Sequence, residues 1–177
     1  HTSLRQGGPL NPAGGGVTAI FSSGSSYTPG GPAITITVSV TDPRNTHYGF
    51  QMTARRESDL TNGQAGTFTT GGTNQLVICD NGSPRVGSAC PANAAVEFIE
   101  HAYPTNAQVG TTSYTFTWQP PATDVGPVHF YLAGNSVNGD LKADGNDHVY
   151  TASYVLKPAV ACTSSATPSI AKVISAG

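Results

Sequence analysis

Five histidines, a cluster of aspartates and three cysteines are the residues of this 177-residue chain whose chemistry could build a site. His1 opens the chain. A free amine and imidazole on a first residue, joined by a second histidine from His47, His101, His129 or His148, would make a nitrogen set suited to copper. No spacing ties any of the four to His1, so a trace of processing is the plainer reading. The stretch Asn135–Asp147 carries Asp140, Asp144 and Asp147. Calcium takes about six to eight oxygen ligands. The ligand order of an EF-hand is missing and Lys142 sits mid-loop, so a solvated connection is the simpler account. Glu100 beside His101 is an acid/base pair in type. No nucleophile motif of the G-x-S-x-G kind accompanies it, and His101 is expected to serve the rim of a core. His129 is expected to point outward. Arg55 and Arg56 fall on opposite faces of a strand, each with a salt bridge or loop hydrogen bond as the default. Asn81-Gly82-Ser83 fits a glycosylation sequon.

Cys79 and Cys90 flank Asp80-Asn81-Gly82-Ser83-Pro84, a strong turn signal. They are expected to form a disulfide that closes this loop. Such a bond belongs in an oxidising compartment. Cys162 is then left over. It is a free thiol, a bridge to another chain, or the partner of a cysteine outside this sequence.

Charged residues make up only 10% of the chain, against roughly 25% in typical soluble proteins. Gly (21) and Pro (13) are abundant, and Ser and Thr fill much of the remainder. The net charge of −2 leaves no electrostatic footprint for nucleic acid or an anionic membrane. No run of 18 apolar residues is present to span a bilayer. A surface with so little charge repulsion permits association between copies. A chain that starts at His1, not Met, is expected to have a processed N-terminus.

Period-two alternation supplies the scaffold. Ile34, Ile36, Val38 and Val40 alternate with Thr35, Thr37 and Ser39. Tyr114, Phe116 and Trp118 alternate with Thr115 and Thr117. Such runs are strands with one face in a core. Strands are expected at 17–22, 33–41, 47–56, 65–69, 75–79, 95–101, 113–119, 127–133 and 148–157. Short strands at this spacing indicate an all-β, immunoglobulin-like, two-sheet antiparallel sandwich. Trp118 is its expected centre, with Phe50, Phe98, Phe116 and Phe130 around it. Residues 1–16 read as an extended N-terminal arm, 17–158 as the sandwich, and 159–177 as a linker and β-prone tail. In that tail Ile170, Val173 and Ile174 are candidates for an assembly strand.

Several segments in order resemble the reeler domain: Gly49-Phe50-Gln51-Met52-Thr53-Ala54-Arg55, Gly66-Thr67-Phe68, Cys79, Glu100-His101, Phe116-Thr117-Trp118-Gln119-Pro120-Pro121 and Gly126-Pro127-Val128-His129-Phe130-Tyr131. Ala133-Gly134-Asn135 and Gly145-Asn146-Asp147-His148-Val149-Tyr150-Thr151 are similar to stretches of its bacterial relatives, secreted choice-of-anchor proteins. The resemblance implies an extracellular sandwich used in adhesion or matrix work, without a family-wide catalytic activity. Those relatives often carry a Cys-x-x-Cys-His haem-attachment motif just before the point where this chain begins, and His1 is placed like its last residue. Pro168–Gly177 is similar to the opening of a C-terminal module.

Two functions follow as expectations. The first is a secreted structural subunit that assembles into an extracellular filament or tube, its arm or tail laid onto a neighbouring copy as an added strand. The second is a monomeric adhesion module for surface glycans or matrix. No cofactor is expected, with haem upstream of His1, copper or calcium as minor alternatives, and no catalytic residue is assigned.

Overall fold

The computed structural model of the chain describes residues 10–87, 89–103, 110–140, 142 and 144–160. Ten strands follow in order: β1 Gly16–Phe21, β2 Ser26–Tyr27, β3 Ile34–Asp42, β4 His47–Arg56, β5 Thr67–Thr69, β6 Gln75–Cys79, β7 Glu97–His101, β8 Gly110–Gln119, β9 Val128–Val137 and β10 His148–Pro158. They form two sheets. One has four strands in the order β1-β3-β8-β5; the other has six in the order β2-β10-β9-β4-β7-β6. All named pairs are antiparallel except the two-residue contact of β2 with β10. This is the sandwich expected from the alternation.

The inner faces carry the apolar half of each strand. Ile36, Val38 and Val40 of β3 and Phe116 and Trp118 of β8 meet Phe50 and Met52 of β4 and Phe130 of β9, all buried. Each such side chain contributes about 1.5–3 kcal/mol on leaving water. The Trp118 ring lies edge-on to Phe130 at 5.0 Å and to Tyr27 at 5.8 Å. Its indole N–H donates to the Ala65 carbonyl at 2.9 Å, so the polar end is satisfied too. Gly66 beside it has φ +66°, and a Cβ there would run into the indole.

The outer face of the four-stranded sheet is tiled with hydroxyls. Thr37 meets Thr115 at 3.2 Å, Ser39 meets Ser113 at 2.8 Å and Thr41 meets Thr111 at 3.0 Å. Cross-strand hydroxyl pairs do here what ion pairs do on charged sheets.

Several boundaries differ from the expectation. β9 continues through Val137, into the stretch expected to be loop. Asn135, Ser136 and Gly134 read as turn residues, yet Gly134 is needed where Val17 packs on the strand backbone. β8 starts at Gly110 because Thr112 keeps the inward alternation. The expected arm also loses its last residues to the sandwich. Leu10 bridges Val149, Asn11 N–H donates to the Val149 carbonyl at 2.8 Å, and Asn11 Oδ1 accepts from Thr151 N–H at 2.8 Å. Asn11 adopts φ 52°, a conformation asparagine tolerates.

Candidate ligand-binding face

The outer face of the six-stranded sheet is unlike the hydroxyl-tiled one. Register sets its layout. Glu100, Gln51, Ala133 and Thr151 form one row across β7, β4, β9 and β10; Phe98, Thr53, Tyr131 and Ser153 form the next. Rows on one face lie about 6.7 Å apart and neighbouring strands about 4.8 Å. Small residues Ala133, Thr53 and Ser153 keep the floor low, and the rings of Phe98 and Tyr131 stand above it. The result is an open concavity of about 490 Å³. A second one of about 180 Å³ shares Gln51 and Ala133 and adds Glu100, His101, Asn135 and Val149. Together they make a trough across the central strands.

Its polar groups are already oriented. Gln51 Nε2 donates to Glu100 Oε2 at 2.7 Å. The guanidinium of Arg55 lies over the Phe98 ring, 5.1 Å from its centroid. Arg55 is only 7% exposed, burial pushes its pKa down, and its Nη1 has no hydrogen-bond partner. The default expected for Arg55, a salt bridge or loop hydrogen bond, is thus replaced by a stack on an aromatic ring. That stack also corrects the reading of Phe98 as a core residue. In β7 Glu97 and Ile99 point inward, so Phe98 and Glu100 point out. His129 faces outward as expected, 3.4 Å from Glu57 and stacked at 6.4 Å on Tyr131.

The other candidate residues scatter. Cys79 and Cys90 are bonded, with Cα atoms 5.6 Å apart. Cys162, Ile170, Val173, Ile174 and His1 lie outside the described residues. Asp140 and Asp144 accept N–H groups of their own loop, from Lys142 and Asn146. Asp147 Oδ1 is buried without a partner, and burial pushes that carboxyl up. Among the described residues no three His, Cys, Asp or Glu side chains are grouped to hold a metal. His47 pairs with Thr46 Oγ1 at 3.0 Å, and His101 Nδ1 sits 3.1–3.2 Å from the Phe50 backbone. His101 therefore has the rim role expected of it, its ring lying over Gly49 on the same face as Gln51 and Glu100.

Sequence reading missed two buried polar clusters. Glu97, 2% exposed, accepts from Arg85 Nη1 at 2.9 Å and from Phe68 N–H at 3.0 Å, and so pins the disulfide loop to β5 and β7. At the other end, Asp42 is fully buried. It accepts from Arg44 Nε at 2.8 Å and Tyr150 Oη at 2.6 Å, and lies 2.6 Å from His148 Nδ1. Burial would raise its pKa, but hydrogen bonds from Arg44, Tyr150 and His148 outweigh that and hold it well below the usual carboxylate range. Ser136 is the register partner of His148, so serine, histidine and aspartate meet on one inner face. Ser136 is fully buried and its Oγ has no hydrogen-bond partner. A substrate cannot reach it, and the cluster is a structural pin.

Among the described residues no helix is long and apolar enough to cross a membrane. No curated protein matches the chain. The crystal structure of the human F-spondin reeler domain is similar at a TM-score of 0.52 and 18% identity, covering 88% of this chain and 99% of that one. A cohesin module from a family 33 glycoside hydrolase of Clostridium perfringens is similar at a TM-score of 0.47 and 12% identity, covering 81% and 96%. The reeler domain family model matches residues 18–134. The chain therefore belongs to the reeler domain family.

Proposed function

We propose that this chain is a secreted, non-catalytic recognition module that binds other extracellular material through the outer face of its six-stranded sheet. The observation that carries this is the trough itself: an open, preorganised concavity with aromatic walls, a low floor and a few oriented polar groups. The Cys79–Cys90 bond is typical of extracellular proteins.

A filament subunit needs a strand edge to receive a neighbour's arm or tail. Among the described residues several strand edges are partly engaged. Arg85 N–H donates to the Val77 carbonyl and Cys79 N–H to the Ser83 carbonyl, so the disulfide loop covers β6. Leu10, Asn11 and β2 occupy parts of the β10 edge. On β1, Ala19 N–H donates to Tyr154 Oη at 2.7 Å. Recognition by a folded monomer is therefore placed first, and assembly through residues 161–177 second. The test is retention of the purified chain on native extracellular matrix, compared with a Tyr131→Ala variant. Equal retention of the two overturns the reading.

A further inference from the structure

We infer that the trough takes a neutral polysaccharide, lying across β4, β9 and β10. The inference rests on the recognition reading and gives its ligand a chemical class.

A pyranose offers two kinds of surface, an apolar C–H face and a rim of hydroxyls. The trough offers a partner for each. Phe98 and Tyr131 present ring surface, and Tyr131 is 39% exposed. The Gln51–Glu100 pair is joined through Oε2 alone, which leaves carboxylate Oε1 and an amide oxygen to bind hydroxyls. Thr151 and Ser153 add exposed hydroxyl groups to the floor.

Charge selects among glycans. The lining contains one carboxylate, that of Glu100, one imidazole, that of His101, and no lysine or arginine. Arg55 stands behind Phe98, committed to that ring. A uronate or sulfated chain would find no lysine or arginine in the floor and would meet Glu100 directly. A neutral chain has no such penalty.

Size and stiffness agree with this. From Val149 to Ser153 along β10 the trough runs about 13 Å, room for a short stretch of sugar chain. The larger concavity falls within the roughly 300–1,000 Å³ of typical ligand sites. β4 and β9 are interior strands of the sheet, so the floor needs no ordering when a ligand arrives.

The experiment is an amide-resolved NMR titration of the full chain with cellohexaose, mannohexaose and xylohexaose, and with a polygalacturonate hexamer as the acidic probe. At least one neutral hexasaccharide is expected to shift the amides of Gln51, Thr53, Ala133 and Thr151. Tyr131→Ala and Gln51→Ala are each expected to weaken that binding tenfold or more at unchanged Tm. Thr37→Ala, on the opposite face, is expected to bind like the parent. Tighter binding of polygalacturonate, or shifts confined to other surfaces, overturns the inference. So does a trough whose amides shift when residues 161–177 are deleted from the ligand-free chain, because the tail is then the occupant. Dimerisation abolished by Tyr131→Ala overturns it in favour of a second copy. If matrix retention depends on Tyr131 while no neutral hexasaccharide shifts the trough, the sugar class falls and recognition stands. If matrix retention ignores Tyr131, both fall.

Discussion

His148 Nδ1 lies 2.6 Å from Asp42 Oδ2 in a corner where the carboxylate is fully buried. The two residues close β3 onto β10, and so join the two sheets at one end. Removing one partner of such a group leaves the others desolvated without compensation.

Asp42→Asn is expected to cost about 3 kcal/mol, or on the order of 6–12 °C in Tm for a domain of this size. Urea unfolding at pH 7 with an unchanged m-value is the measurement. The acid limb gives a second check. Asp42 is depressed in the folded state, so its stabilisation is complete above the ordinary aspartate value of about 3.9 and is lost as pH falls below it. The wild type should lose stability below about pH 4, and the variant should lose less over the same interval.

Tyr150 works at the other end of the pH scale. Burial first, and then its hydrogen bond to Asp42, push the phenol up to about 12. A raised phenol favours the folded state below the ordinary tyrosine value of about 10, and that contribution disappears as pH rises toward the folded value. Tyr150→Phe is expected to be less stable than wild type at pH 8 by about 1–2 kcal/mol. The gap should narrow between pH 10 and the folded value, as measured by urea unfolding across that range. A gap that stays constant would show that Tyr150 does not titrate as argued.

Alternation along single strands is local, which is why nine of the strands and the place of Trp118 could be read from the sequence. Phe98 could not. In Glu97-Phe98-Ile99-Glu100 each face holds one apolar and one acidic residue, so periodicity does not say which side is buried. Glu97 went in because Arg85 and the Phe68 N–H were there to satisfy it. The trough is hidden for another reason. Its residues are single outward positions spread over four strands, and only register brings Gln51, Ala133 and Thr151 into one row. Asp42 and His148 are likewise more than a hundred positions apart, and no local pattern marks them.

The Cys79–Cys90 bond should contribute about 3 kcal/mol by restricting the unfolded chain. A Cys79→Ala, Cys90→Ala double variant is expected to lose that much in urea unfolding. It should keep the trough intact, since the Arg85–Glu97 pair still fastens the loop from inside. Amide shifts at Gln51 and Thr151 that match the parent's would bear this out. Broad displacement there would mean the covalent link itself shapes the face.

Oligomeric state separates the two functional readings. Strand edges are reactive because their N–H and C=O groups are unpaired. Here the 83–85 segment takes up the β6 edge, and Asn11 and β2 take up parts of the β10 edge. At those positions an incoming strand would have to displace bonds already made, at about 1 kcal/mol each. The full chain is therefore expected to sediment as a monomer at micromolar concentration, and deletion of residues 165–177 should leave that unchanged. Filaments in electron micrographs that vanish on the same deletion would reverse the order of the two readings. The covered edges would then be features that confine assembly to the tail.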